Sequence, residues 1–342
     1  MNNIGYIYDP IFLKHNLPDH PENARRLEVI LDYFDKNNLI ERLTKIEVRD
    51  ANEDELLLCH DKSLIEKVKN ACGSGITNLD ADTYINCFSY NAAISAVGGM
   101  IELVNKITEG SISKGIVLSR PPGHHATESR SMGFCLFNTI AIGARYATRK
   151  NNLKKVAIVD IDVHHGNGTQ SIFYDDPSVM YISTHQYPHY PGTGTLRETG
   201  DGKATGTNIN IPFPAYVDDD GYKDVFNHFA IPILERFKPE LIFVSVGFDG
   251  HETDPLSSIN LSLTGYDWLC RSLINAAEKI CEGKIIFSLE GGYNLNVLAP
   301  GFGNIVRGLS EDEMCDDPFT SYNYSTADVS KLIEKLKEVH NL

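Results

Sequence analysis

The chain has 342 residues, of which 31 are Lys or Arg and 46 are Asp or Glu, giving a net charge of −15. That balance argues against a nucleic-acid backbone or an anionic membrane surface as partner, and it is compatible with cationic substrates. At 42% hydrophobic and 23% charged residues, the composition is that of a globular protein with a sizeable core and excludes a disordered chain.

The opening stretch Met1–Pro10 has no basic start followed by an apolar core, so no secretory signal is predicted. The first ~80 residues carry helical patterns, with His20-Pro21-Glu22 starting one. Ser89–Lys106 is a longer helical stretch. Five short runs rich in Val and Ile then read as strands: Gly115–Ser119, Val156–Asp162, Val179–Thr184, Leu241–Gly247 and Lys284–Leu289, with Thr207–Ile211 a weaker sixth. They are continuous rather than alternating, as expected of parallel strands covered on both faces. Helical patterns over Thr139–Lys150, Gly221–Phe237 and Thr264–Cys281 separate them, and Ser325–Leu342 predicts a terminal helix. This alternation predicts βαβ units and an α/β fold with a parallel sheet. No repeat, low-complexity tract or linker divides the chain, so 1–342 reads as one domain.

The longest apolar run, Leu241–Phe248, has the length of a buried strand and falls far short of the ~20 residues of a membrane span. Seven cysteines, from Cys59 to Cys315, contain no Cys-x-x-Cys, which suggests reduced, mostly buried thiols rather than a zinc ribbon or a disulfide scaffold. Together these features predict a cytoplasmic protein. They leave the oligomeric state open.

Polar residues concentrate at strand ends. Ser119 leads into RPPGHHA, Val159 into DIDVHHGNG, Val246 into GFDGHETDP and Phe287 into SLEGGYN. Ligands of open parallel sheets bind beyond the carboxyl ends of the strands, so the four clusters are predicted to meet at one sheet edge. On an extended strand end, Asp160, Asp162 and His164 project to one side. Asp162 and His164 are a reasonable pair of metal ligands, although a lone Asp-x-His more often just hydrogen-bonds to itself. With Asp249 at the end of another strand, two carboxylates and an imidazole supply three ligands and leave a position open, as a catalytic metal needs. His124 and His125 follow a loop stiffened by Pro121 and Pro122, and beside a metal they become candidates for acid–base work. Asp160 and Asn167 are available to orient them, an Asp favouring the protonated imidazole and an Asn orienting without charge. Gly291 and Gly292 permit a tight turn that can carry Tyr293 over the site, where its hydroxyl could stabilise an oxyanion.

These four clusters, together with HPENARRL at His20–Leu27, resemble the histone deacetylase family, which includes acetylpolyamine amidohydrolases and bacterial and archaeal deacetylase-like proteins. The HHGNGTQ and LEGGYN forms look more like the class II branch than class I. The resemblance implies a single α/β domain with a parallel sheet of about eight strands flanked by helices, related to arginase. It implies a metal-dependent amidohydrolase that removes acetyl or acyl groups from lysine side chains of proteins or peptides and releases acetate. On this resemblance the metal ligands are Asp162, His164 and Asp249, and the catalytic residues are His124, His125 and Tyr293 with Asp160 and Asn167. The acyl-lysine channel would be lined by Gly133, Phe134 and Tyr190, the last in a place where relatives usually carry Phe, with Leu256 and Gly292 also at the substrate. The metal would be Zn2+, with Fe2+ or Co2+ also suited to such ligands. A K+ site would lie near Asp160, Ser183 and Thr184 and include Asp162 and His164. In the polyamine-selective branch an acidic gatekeeper follows the Asp-Pro after the third ligand; here Leu256 follows Asp254-Pro255, which favours lysine substrates. Should polyamines be preferred, Asp80 or Asp82 would supply the acid. The alternatives are an acetylpolyamine or other small-molecule deacylase, and a catalytically silent acyl-lysine binding protein. The resemblance gives His251 no role.

Overall fold

The computed structural model describes residues 4–314, 317–319 and 327–342. One sheet organises it, built from β1 (Ile4–Ile7), β2 (Thr44–Lys45), β3 (Lys114–Val117), β4 (Val156–Asp160), β5 (Val179–Gln186), β6 (Asn208–Phe213), β7 (Ile242–Val246) and β8 (Ile285–Leu289). The strand order is β2-β1-β3-β8-β7-β4-β5-β6, and every pairing is parallel. Helices cover the sheet, as the α/β reading requires. β4, β7 and β8 are buried at every residue, which is why their sequences are continuous apolar runs rather than alternating ones.

The helices follow from their sequences as well as the strands do. Thr139–Arg149 starts at Asn138, whose side chain accepts from the Ala141 amide, and Leu263–Cys281 starts at Ser262, whose hydroxyl accepts from Gly265. Ser89–Thr108 buries most of its length.

Four sequence expectations need correction. β1 and β2 lie in the segment expected to be only helical: IGYI is too short and too interrupted by Gly5 to announce itself, and β2 has only two residues. The helix expected from His20-Pro21-Glu22 begins later, at Arg25, because those residues form a turn in which the Glu22 amide donates to His20 Nδ1 (3.1 Å) while its carboxylate enters the core. The stretch Gly221–Phe237 is helical but not uniform, with Asp219–Val225 and Ile231–Phe237 joined through a widened turn at Phe226–Ala230. Pro232 lacks the N–H that a regular turn would use there, which accounts for the widening. β6 runs on through Pro212, which an edge strand tolerates. The terminal helix spans Ser330–His340; Ser325 and Cys315 lie outside the described residues.

Among the described residues no helix is long and apolar enough to cross a membrane. Of the described cysteines, Cys59, Cys135, Cys270 and Cys281 are buried and Cys87 is exposed.

Candidate active site

β3, β8, β7 and β4 are consecutive neighbours in the sheet, so the four polar clusters leave adjacent strand ends and converge. Asp162 and His164 follow β4, and Asp249 follows β7. One ligand atom from each of the three lies within 4.8 Å of the others. His164 Nδ1 is 3.2 Å from Asp162 Oδ1 and 3.1 Å from Asp249 Oδ2. The remaining carboxylate oxygens are held by backbone: Asp162 Oδ2 accepts from Gly291 N (2.8 Å) and Asp249 Oδ1 from Val163 N (3.1 Å). This fixes the two carboxylates and leaves one oxygen of each beside the imidazole. Two buried carboxylates facing one imidazole form a donor set that fits a divalent cation with an open coordination position. Burial and the Asp162 charge push the Asp249 carboxyl up, which expresses the same crowding of negative charge.

The paired histidines lie beside these ligands with different partners. His124 Nδ1 donates to Asp160 Oδ2 (3.0 Å), and that oxygen also accepts from Tyr181 OH (3.0 Å). Burial works against the imidazolium, but the Asp162 and Asp160 carboxylates outweigh it and raise His124 to about 10. His125 Nδ1 meets Asn167 Oδ1 at 2.8 Å; because that oxygen only accepts, Nδ1 carries the proton and Nε2 is left bare. Burial lowers the His125 pKa well below its ordinary value, and the positive charge of His124 lowers it further. The pair is thus one charged and one neutral imidazole 4.0 Å apart between ring centres.

A pocket of about 240 Å3 rises from this floor. Gly133, Phe134, Tyr190, Leu256 and Tyr293 line it with both histidines and His164. Gly133 has φ +56°, and a Cβ there would fall 2.4 Å from the His125 ring, so only glycine fits. Tyr190 meets the His125 ring edge-on at 5.2 Å, and Phe134 meets Tyr293 edge-on at 5.9 Å. Gly292 is not on the pocket wall; Gly291 is, and a Cβ on Gly291 would lie 2.2 Å from Asp249 Oδ2. Thr184 Oγ1 donates to the Asp160 carbonyl (3.2 Å), and Ser183 Oγ is engaged with His185 (2.9 Å). His251 is buried, with Nδ1 2.9 Å from Thr253 Oγ1 and its ring against Phe319, which accounts for it as packing outside the pocket.

Several contributors were not singled out from the sequence. Glu290 Oε2 accepts from the amides of Gly123 (2.7 Å) and His124 (3.2 Å), and Oε1 accepts from Ser245 Oγ (3.1 Å), so it fixes the histidine loop. Burial pushes its carboxyl up to about 7. Arg26 donates to the carbonyls of Gly292 (2.8 Å) and Glu290 (2.6 Å) and stacks 5.1 Å from the Tyr293 ring. Glu22, fully buried, pairs with Arg26 (3.3 Å) and Arg120 (2.7 Å). The available signal was three charged residues, Glu22, Arg26 and Arg120, inside segments matched to the family but given no work. Asp82, His189 and Pro122 complete the wall; Asp80 instead closes a turn by accepting from Thr83 N (2.8 Å).

Comparison with known proteins agrees with this geometry. Residues 20–309 match the histone deacetylase domain. The chain is 34% identical over 351 residues to "Histone deacetylase 14, chloroplastic" of Arabidopsis thaliana, covering 96% of this chain and 83% of the relative. It is 36% identical over 321 residues to a "Probable deacetylase" of Archaeoglobus fulgidus, covering 90% and 89%. The crystal structure of the HDA15 HD domain superposes with a TM-score of 0.88 at 32% identity, covering 99% of this chain and 92% of that one. The chloroplastic name of the Arabidopsis relative corrects the cytoplasmic expectation: reduced, buried thiols do not single out the cytoplasm.

Proposed function

The chain belongs to the histone deacetylase family and is a deacetylase, and from that premise we propose that it hydrolyses the side-chain amide of acetyl-lysine or acyl-lysine in proteins or peptides, releasing the carboxylate and free lysine. The observation that carries this reading is the narrow pocket whose floor joins the Asp162–His164–Asp249 cluster to His125 and whose wall includes Tyr293. A divalent cation, Zn2+ with Fe2+ or Co2+ as the other fitting ions, supplies Lewis acidity when bound by those three side chains, polarising the acyl carbonyl and acidifying a water.

The chain's own residues do the rest. His125 Nε2 takes a proton from the attacking water and returns one to the leaving amine, while Asn167 keeps the ring in the tautomer that makes this possible. His124, held charged by Asp160, lends positive potential beside the developing negative charge. Tyr293 donates its hydroxyl to the oxyanion. Burial raises the pKa of that phenol well above its ordinary value, so it stays a donor across the working pH range. Gly133, Phe134 and Tyr190 grip the lysine methylenes and exclude water. A K+ near Asp160 would draw on backbone carbonyls, given that the Ser183 and Thr184 hydroxyls are engaged within the protein. Residues 1–342 act as one domain, a reading supported by a sheet that takes strands from both ends of the chain.

Release of acetate from an acetyl-lysine peptide, abolished by a chelator and restored by zinc or cobalt, tests this function; a metal-stripped enzyme with full activity would refute it. Tyr293→Phe removes one oxyanion donor and should cost about 2.7–4 kcal/mol of transition-state stabilisation, seen as a fall in kcat with KM little changed. An unchanged kcat would assign Tyr293 to packing.

Leu256 at the wall supports lysine over polyamine substrates, because an aliphatic side chain offers no charge to a second amine. The wild type should therefore show higher kcat/KM on an acetyl-lysine peptide than on N-acetylputrescine or N-acetylspermidine. Leu256→Glu should shift the ratio toward the polyamines by about fivefold or more, given about 1–4 kcal/mol for a new charge pair at contact distance near the surface. A wild-type preference for acetylpolyamines would reverse this assignment and direct attention to Asp82.

A further inference from the structure

Asp254, the residue before Pro255, connects two pocket walls. It is 6% exposed. Its Oδ2 accepts from the amides of Tyr293 (2.7 Å) and Asn294 (3.2 Å), and its Oδ1 accepts from the amide of Leu256 (3.0 Å). A carboxyl of this kind pays a desolvation penalty and has to be offset by its hydrogen bonds, here three backbone N–H groups on two separate chain segments.

The Tyr293 bond sits in an informative place. The peptide unit between Gly292 and Tyr293 is held at both edges: its carbonyl accepts from Arg26 Nε at 2.8 Å and its N–H donates to Asp254. Gly292 has φ +109°, a conformation open to glycine, so the preceding residue offers little resistance to rotation of this unit. With the plane fixed at both edges, the direction in which Tyr293 leaves the backbone is fixed too. The other oxygen of the same carboxylate sets Leu256, which faces the same pocket.

We propose that Asp254 is a positioning residue that aims the Tyr293 hydroxyl into the pocket and ties that aim to the Leu256 wall. This rests on the oxyanion role given to Tyr293 above. Asp254 touches no substrate; it acts through the backbone of the residues that do.

Asp254→Asn is nearly isosteric but replaces one acceptor oxygen by an NH2 donor, so the side chain can no longer accept at both ends. The test is a double-mutant cycle with Tyr293→Phe, assayed on an acetyl-lysine peptide with zinc-loaded full-length enzyme, with zinc content and thermal unfolding recorded for each variant. Asp254→Asn should lower kcat by about 10- to 100-fold in the wild-type background with KM little changed, the order of effect expected of a misplaced catalytic group. In the Tyr293→Phe background the same substitution should lower kcat by less than about threefold, because the hydroxyl it aims is gone. A structural role alone would give equal losses in both backgrounds, and that result, or a wild-type kcat for Asp254→Asn, overturns the inference. Should Asp254→Asn fail to fold or to hold zinc, Asp254→Ser enters the same cycle with the same two outcomes. If Tyr293→Phe alone keeps wild-type kcat, the oxyanion role fails and the inference with it. If Tyr293→Phe is impaired but the losses multiply, the inference fails alone.

Discussion

Replacing Asp162, His164 or Asp249 by Ala is expected to eliminate deacetylation and metal content together. Among the described residues these three side chains supply the donor set, and the two carboxylates are each fixed by a backbone amide. Removing Asp162 also takes away a carboxylate that keeps His124 charged and the acceptor for the Gly291 amide, so the loss extends to the acid–base pair and the Tyr293 turn. Removing Asp249 frees the Val163 amide and leaves His164 with one carboxylate. Metal analysis of the purified variants, read beside acetate release, checks the result. A variant with wild-type activity and no bound metal would end the metal-hydrolase account.

His125→Ala is expected to lower kcat by about 10²–10⁴-fold, the usual range for a positioned acid–base group. His124→Ala should do less, because its role is charge rather than transfer. The sign of the pH dependence follows from the lowered His125 pKa: the base must be unprotonated, and burial beside the charged His124 keeps it so below the ordinary histidine value. The acid limb of kcat/KM should therefore fall below about pH 6.5, where an unperturbed imidazole would titrate. Asn167→Ala releases the tautomer and should lower kcat without moving metal content. A His125→Ala enzyme with wild-type kcat would move the base to another residue.

The parallel sheet and the meeting of polar clusters were legible because each cluster follows an apolar run at a strand end, a pattern that needs no tertiary information. The grouping of Asp162, His164 and Asp249 was legible for the same reason, and Asp160 and Asn167 stood out as available partners for the two histidines; the structure pairs His124 with Asp160 and His125 with Asn167. What the sequence withheld are contacts made by backbone atoms and by residues distant in the chain. Asp254 offers no local sign of service, because its partners are amides rather than side chains. Glu22 looked like the first turn of a helix and is instead the anion of a buried pair, a role decided by Arg120 almost a hundred positions later. β1 and β2 are too short for any periodicity to show. Gly292 was expected at the substrate on the family resemblance; the turn puts Gly291 on the wall and gives Gly292 to Arg26.

The span of the Arg26 contacts has a bearing on how the protein is made. Its bonds to Glu290 and Gly292 cross 264 and 266 positions of sequence. On a ribosome, Arg26 emerges early and waits while nearly all of the chain is added, because β8 must enter between β3 and β7 before the turn it supports exists. Until then, β3 and β7 both stand with an open edge and the charges of Glu22, Arg26 and Arg120 lack their final surroundings. Pairings that close so late are slow to form and leave partly built sheets exposed to other chains. A nascent chain stopped between Asp249 and β8 would hold Asp162, His164, Asp249 and both histidines yet lack the strand and the turn that complete the pocket.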